Sequence, residues 1–155
     1  MTEPVTSTPT TQELISFRID DQEFCLDVMS VREIRGWTLT TVLPNTPRYV
    51  RGVINLRGAV LPVLDLKDRL GLGQTDAQQR SVIIVVRSRD KLVGLLVDAV
   101  SDILTVETAM VQPTPKVGCE TVSQFIKGII AVEGRMISWI AIEDIVPGEQ
   151  MDAAA

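Results

Sequence analysis

Histidine is absent from this sequence of 155 residues, and its absence excludes a large part of enzyme chemistry. Without histidine there is no Ser-His-Asp or Cys-His catalytic group. The commonest general base and metal ligand is missing too, and no side chain of ordinary pKa titrates between about pH 5 and 8. We therefore expect no enzyme activity, no metal or cofactor site, and no switch that works by protonation near neutral pH.

Cysteines and clusters of basic residues are scarce as well. The two cysteines, Cys25 and Cys119, are too few for a disulfide framework and have no partner at metal-ligand spacing. The net charge is −5, and no block of lysine or arginine provides the basic surface that nucleic acids and anionic membranes require. No apolar run reaches the roughly 18 residues of a membrane span, and residues 1–11 lack the features of a signal peptide. We therefore expect a cytoplasmic protein with reduced thiols.

Phosphate-binding loops are also missing. Gly71-Leu72-Gly73 begins like a dinucleotide motif, but Asp76 stands where the third glycine belongs, and no Gly-Lys-Ser/Thr run occurs. Adjacent acids at Asp20-Asp21 are more typical of a polar hairpin tip than of a metal site. An enzyme built on paired carboxylates remains an alternative, because such pairs form in space and not along the sequence.

What the sequence does contain is β-branched and aliphatic residues in strand patterns. Apolar residues make up 45% and aromatics only 4%, so the core must consist of valine, isoleucine and leucine, which favour an all-β fold. Four hairpins are predicted, with turns at Asp20-Asp21-Gln22, Gly58, Ser88-Arg89-Asp90 and Gly134. Short helices are predicted at residues 65–70, with Asp65 as N-cap, and at 143–146.

The two halves of the sequence resemble each other. Gly52-Val-Ile-x-Leu-x-Gly58 matches Gly128-Ile-Ile-x-Val-x-Gly134 at an offset of 76, and Val28-x-x-Val31 matches Val97-x-x-Val100 at an offset of 69. We infer a duplication that produces two sibling β-subdomains. The predicted division is a tail at 1–12, subdomains at 13–80 and 81–147, and a second tail at 148–155; chance similarity of two hairpins is the alternative.

Residues 49–70 resemble the signature segment of the CheW family of chemotaxis coupling proteins. The segment contains Gly52-Val-Ile-Asn-Leu-Arg-Gly58 and continues into Leu61-Pro-Val-Leu-Asp-Leu66. Before it lie Val31-Arg-Glu-Ile-Arg-Gly36 and Asn45-Thr46-Pro47, and residues 93–104 match a second block of the family. The resemblance implies two five-stranded SH3-like barrels packed together. Ala141, where many members have Asp or Asn, and Trp139 depart from the pattern.

The resemblance also implies a function, which is to bridge two partners. Members of the family bind the cytoplasmic signalling tip of a chemoreceptor and the regulatory domain of the histidine kinase CheA. The chain has no room for a kinase or receiver domain of its own, so the stand-alone adaptor is the form expected. An adaptor of a chemosensory pathway that does not control motility is an alternative.

By the same resemblance, one group of residues is expected to bind the receptor: Val31, Glu33, Asn55, Arg57 and Val82. Alternation of side chains predicts that Val31 and Glu33 share one face of a strand. Arginine is suited to such a site, because its planar guanidinium can bind carboxylates or carbonyls of a receptor helix. The structural alternatives are a solvated turn arginine for Arg57, a turn-stabilising amide for Asn55 and a core strand for Val82.

Kinase binding is expected on a second group: Thr40, Val42 and Leu43, with Val117 as a further contact. Residues 40–43 are predicted to form an apolar edge that pairs with the related kinase domain. Val117 follows Pro113 and Pro115, which stiffen the loop and lower the entropy lost on binding.

Two other classes of function are alternatives to the adaptor. A small-molecule-binding β-barrel would need a deep pocket with convergent polar groups. A nucleic-acid-binding barrel would need a stacking platform, for which three Phe, one Tyr and two Trp on an acidic chain leave little material.

Overall fold

The computed structural model describes residues 11–75, 81–113 and 124–146. Eleven strands and two one-turn α-helices account for most of this part of the chain. The strands are β1 Thr11–Ile19, β2 Gln22–Asp27, β3 Val31–Gly36, β4 Val50–Leu56, β5 Ala59–Asp65, β6 Val82–Ser88, β7 Lys91–Val97, β8 Ala99–Glu107, β9 Val111–Gln112, β10 Ile126–Val132 and β11 Arg135–Ile140. The helices are α1 Leu66–Arg69 and α2 Ile142–Ile145. No helix in these ranges is long and apolar enough to cross a membrane.

The strands form two sheets, which confirms the all-β prediction. One sheet has five strands in the order β3-β6-β7-β5-β4, and the other has six in the order β8-β1-β2-β11-β10-β9. The sixth strand, β9, has only two residues. In the five-stranded sheet an isolated bridge between Thr41 and Val53 lies at the corresponding edge, next to β4.

The four predicted hairpins are all present. Antiparallel ladders join β1 to β2, β4 to β5, β6 to β7 and β10 to β11. Each turn contains a non-glycine residue with positive φ: Asp20 at 55°, Arg57 at 50°, Arg89 at 58° and Glu133 at 47°. At two tips the next residue, Gly58 or Gly134, also has positive φ, which is the geometry of the tight hairpin turns that glycine favours.

The sheets do not follow the predicted division of the chain at residue 80. The six-stranded sheet takes β1 and β2 from the first predicted subdomain, and the five-stranded sheet takes β6 and β7 from the second. Two parallel pairs, β5 with β7 and β11 with β2, join these strands across the halves. The boundaries 13–80 and 81–147 therefore do not separate the sheets, because non-local parallel pairing connects the halves.

The register of these pairs supports the inferred duplication. Val63 pairs with Gly94, and the offsets 63 + 76 = 139 and 94 − 69 = 25 lead to Trp139 and Cys25, which also pair. Likewise Ile34 pairs with Ile84. By the offset of 69, Ile103 corresponds to Ile34 and Ile15 to Ile84, and these two residues pair as well. The two halves thus share one pattern of strand pairing.

Three apolar clusters make up the core. The largest contains residues of both sheets, among them Phe17, Phe24, Leu64, Leu95 and Phe125, each no more than 2% exposed. A second cluster consists of five-stranded-sheet residues and includes Ile54, Ile83 and Val85, and a third consists of six-stranded-sheet residues and includes Leu14, Ile130 and Ile137. Because most of the buried apolar area lies in the shared cluster, burial of that area is the main force that holds the sheets together.

The ends of the described chain require two corrections. Thr11 and Gln12 pair with Glu107 and Val106 in the six-stranded sheet, so the predicted tail of residues 1–12 is two residues too long. The helices begin at Leu66 and Ile142, and Asp65 occupies the predicted N-cap position of α1, although its side chain makes no capping hydrogen bond. Its buried carboxylate instead accepts hydrogen bonds from the amide and hydroxyl of Thr75 at 2.7 and 2.6 Å. The predicted tail at 148–155 lies outside the described residues.

An ion pair joins the two halves where β11 runs beside β2. The guanidinium of Arg135 donates to both carboxylate oxygens of Glu23, at 3.0 and 2.6 Å. The hydrogen bonds from Arg135 hold the pKa of Glu23 below its usual range, although partial burial acts in the opposite direction. Because the geometry is bidentate and Glu23 is only 16% exposed, the pair should contribute more than a typical surface ion pair.

We predict that Arg135→Met lowers the free energy of unfolding by about 1 kcal/mol at neutral pH. The pKa of Glu23 is lower in the folded than in the unfolded chain, so the contribution is present above the unfolded value of about 4.3 and is lost as the pH falls through the folded value. Urea unfolding at neutral pH and well below pH 4 measures this. The control is Arg87→Met, whose partner Asp90 is fully exposed. A wild-type advantage over Arg135→Met that does not shrink in acid would contradict the prediction.

Candidate functional site

Two arginines share one carboxylate at the tip of the β4–β5 hairpin. Arg57 Nη2 donates to Glu33 Oε1 at 2.6 Å, and Arg35 Nη1 donates to Glu33 Oε2 at 2.9 Å. The Arg57 side chain remains 72% exposed, whereas that of Glu33 is only 23% exposed. Two positive charges on one negative charge leave the cluster with one net positive charge, presented mainly by Arg57.

The carboxylate of Glu33 holds this cluster together. The hydrogen bond from Arg57, followed by that from Arg35, lowers the pKa of Glu33 below its ordinary value. The carboxylate therefore stays ionised under all conditions near neutral pH and keeps both guanidiniums oriented. The arrangement can offer an exposed, oriented donor fork to an acceptor on a partner.

Asn55 stabilises the turn that carries Arg57. Its Oδ1 accepts a hydrogen bond from the amide of Gly58 at 3.0 Å, across the hairpin tip. This contact is the turn-stabilising role that the sequence offered as an alternative to direct binding. Asn55 also pairs with Val60, which is 69% exposed, and both line an open groove of about 440 Å³.

Val31 and Val82 lie apart from this cluster. Val31 pairs with Val86, but after a register shift Glu33 pairs with Val85. Val86 belongs to the shared core cluster and Val85 to the cluster of the five-stranded sheet. Their partners Val31 and Glu33 therefore lie on opposite faces of the sheet. The prediction that they share a face is wrong, because a β-bulge interrupts the alternation. Val31 and Val82 are partly buried and pack against the shared cluster.

Residues 40–43 form the outermost segment beside β4. Thr41 exchanges two hydrogen bonds of 2.9 Å with Val53. In an antiparallel bridge of this kind the backbone groups of the neighbouring residues, Thr40 and Val42, point away from the sheet. Neither makes a backbone hydrogen bond within the described ranges. The segment therefore offers an open edge, with Val42 77% exposed and Leu43 partly buried.

The open groove lies between this edge and the β4–β5 hairpin. Leu39, 85% exposed, and Val60 contribute apolar walls, and Arg35 contributes a polar one. Arg35 was not among the predicted site residues, although its spacing of two from Glu33 on a strand places both side chains on one face. Val117, the remaining predicted contact, lies outside the described residues.

Comparison with known proteins identifies the family. The model of the CheW-like domain matches residues 13–150. The chain belongs to the CheW family. A probable chemotaxis protein CheW of Rhizobium etli is 55% identical over 143 residues, which are 92% of each chain. The chemotaxis protein CheW of Bacillus subtilis is 31% identical over 94% of this chain and 93% of its own.

A solved structure agrees with the fold. The crystal structure of the scaffolding protein TtCheW from Thermoanaerobacter tengcongensis matches with a TM-score of 0.82 and 32% identity. The match covers 94% of this chain and 95% of that one. The chain is therefore a member of a chemotaxis scaffold family, with the all-β architecture of that family.

We predict that Gly52→Ala detaches residues 40–43 from the sheet. Gly52 has φ of +144°, and a Cβ there would overlap the backbone carbonyl of Thr41. The substitution should cost about 1–3 kcal/mol of stability and should speed amide hydrogen exchange at Thr41 and Val53. Gly36→Ala is the matched control, because a Cβ at Gly36 meets nothing within 4 Å. Unchanged protection of the Thr41 amide in Gly52→Ala would contradict this account of the edge.

Proposed function

We propose that the chain is a non-enzymatic adaptor that couples chemoreceptor signalling tips to the histidine kinase CheA. Membership of the CheW family supports this proposal, and so does the observation that carries it: an exposed arginine held in place by a carboxylate at a hairpin tip. Such a site recognises a partner without performing chemistry on it. We further propose that the adaptor is cytoplasmic and joins receptor arrays at the membrane through protein contacts.

The receptor surface of the proposal centres on Arg57 and Glu33. Arg57 can bind carboxylates or backbone carbonyls at a receptor helix end, while Glu33 orients it. Asn55 supports the site from below the turn, and the apolar wall at Val60 provides a contact for the hydrophobic side of an amphipathic helix. Val31 and Val82 remain proposed receptor residues. Because both pack against the shared core cluster, indirect support of the receptor surface is a simpler role for them than direct contact with the receptor.

The kinase surface of the proposal is the open edge at Thr40, Val42 and Leu43, with Val117 as a second contact. Unpaired backbone groups at an edge can add a strand from another domain, and exposed Val42 adds apolar area. A partner with a related fold would present a comparable edge. The two proposed surfaces are therefore neighbours on the five-stranded sheet, separated by the groove.

We predict that Arg57→Glu reduces binding to a receptor signalling-tip fragment about tenfold or more, because it reverses the charge of the exposed donor fork. The thermal midpoint should change little, since exposed ion pairs contribute below about 1 kcal/mol. Arg89→Glu is the matched control, a second hairpin-tip arginine with positive φ in the same sheet. The binding constant is measured by titration calorimetry or sedimentation.

Two further variants separate recognition from structure. The double variant with Glu33→Arg and Arg57→Glu restores an ion pair between these two positions. It should therefore keep its stability but not recover receptor binding. Val42→Asp should weaken kinase binding and leave receptor binding unchanged. Receptor binding that survives Arg57→Glu, or that fails equally in Arg89→Glu, would remove Arg57 from the proposed surface.

A further inference from the structure

One arginine contacts three segments that belong to both halves of the chain. The Cζ atom of Arg69, at the end of α1, lies 4.6 Å from the ring centroid of Tyr49 and 4.7 Å from that of Phe125. Its Nε donates to the carbonyl of Ile145 at 2.8 Å, and its Nη2 donates to the carbonyl of Asp144 at 3.2 Å. The guanidinium thus stacks near two rings and binds the last carbonyls of α2, where a cation is favoured.

The duplication explains why these contacts converge. Tyr49 and Phe125 are equivalent, since 49 + 76 = 125, and both accept the same backbone hydrogen bond: Asp65 donates to the carbonyl of Tyr49 at 2.7 Å, and Ala141 donates to that of Phe125 at 2.8 Å. The guanidinium thus contacts the same position in both halves of the duplication. A change in the relative orientation of the two halves would therefore alter both ring contacts of Arg69.

Only one half supplies an arginine at this place. The equivalent of Arg69 is Ile145, since 69 + 76 = 145, and Ile145 is fully buried in the shared core cluster. Arg69 donates to the carbonyl of this same residue. Two arginines at this place would put like charges side by side, and the buried apolar side chain of Ile145 avoids that repulsion.

We propose that Arg69 is a positioning residue that holds the two sheets in one relative orientation. Tyr49 and α1 adjoin strands β4 and β5 of the five-stranded sheet, and Phe125 and α2 adjoin strands β10 and β11 of the six-stranded sheet. The guanidinium therefore contacts groups that move with each of the two sheets.

The test measures orientation without any partner. Spin labels at Val60→Cys and Thr105→Cys, one exposed position on each sheet, report the distance between the sheets in a Cys119→Ser background. Cys25 is buried and its pKa is raised to about 12, so it stays unlabelled at neutral pH. Arg69→Met should broaden the distance distribution and raise the reoriented population about 5- to 30-fold, the factor expected for losing such contacts.

Two variants act as controls. Arg48→Met removes a nearby arginine that is 74% exposed and pairs with Asp68 of α1, and it should leave the distance distribution unchanged. Arg69→Lys keeps the charge but not the planar fork, so its distribution should lie between those of wild type and Arg69→Met. Arg69→Lys also serves as the test variant if Arg69→Met does not fold.

A distance distribution identical to wild type in both Arg69 variants would overturn the proposal. A distribution broadened equally in Arg48→Met would also overturn it, because the effect would then not depend on the contacts of Arg69. Neither outcome depends on the adaptor function, since no partner is present in the measurement.

Discussion

The parallel pairs β5–β7 and β2–β11 join strands from opposite halves of the chain. The rest of the structure depends on this pairing across the halves. Because each sheet needs strands from both halves, neither half can bury its apolar surface alone. The shared cluster, with Phe17, Phe24 and Phe125 among its members, then fills the space between the sheets. Burial of apolar area stabilises the contact between the two sheets. The polar contacts Glu23–Arg135 and Arg69–Ile145 make the geometry of that contact more specific.

Divergence of the duplicated halves gives the surface its chemistry. Arg57 and Glu33 correspond to Glu133 and Asp102 in the other half, by the offsets 57 + 76 and 33 + 69. Among the described residues Asp102 makes no ion pair with an arginine, and its carboxylate accepts a hydrogen bond from the buried hydroxyl of Ser16 at 2.8 Å. A common backbone thus carries an exposed donor fork in one half and an acid that binds a buried serine in the other. The receptor surface that we propose therefore places its exposed charge on the five-stranded sheet.

Local patterns predicted the local structure well. Alternation and turn residues located all four hairpins, and the repeated glycines led to the offsets that the strand registers obey. The pairing across the halves was not predictable in this way, because partners such as Val63 and Gly94 are set by packing between distant segments. The bulge that separates Val31 from Glu33 carries no sequence signal, since Val31-Arg32-Glu33 contains no glycine or proline to mark an irregular strand. Arg69 was missed for the same reason: its four contacts come from segments up to 76 positions away.

Reconstitution is the most decisive experiment on the proposal that this scaffold connects two proteins. A receptor signalling-tip assembly and a CheA kinase are sedimented with and without the chain, and phosphorylation of the kinase is measured in both cases. We expect the chain to enter the pellet with both partners and receptor-dependent kinase activity to rise only in its presence. Kinase activity that responds to the receptor equally well without the chain, or a chain that binds neither partner, would refute the proposal.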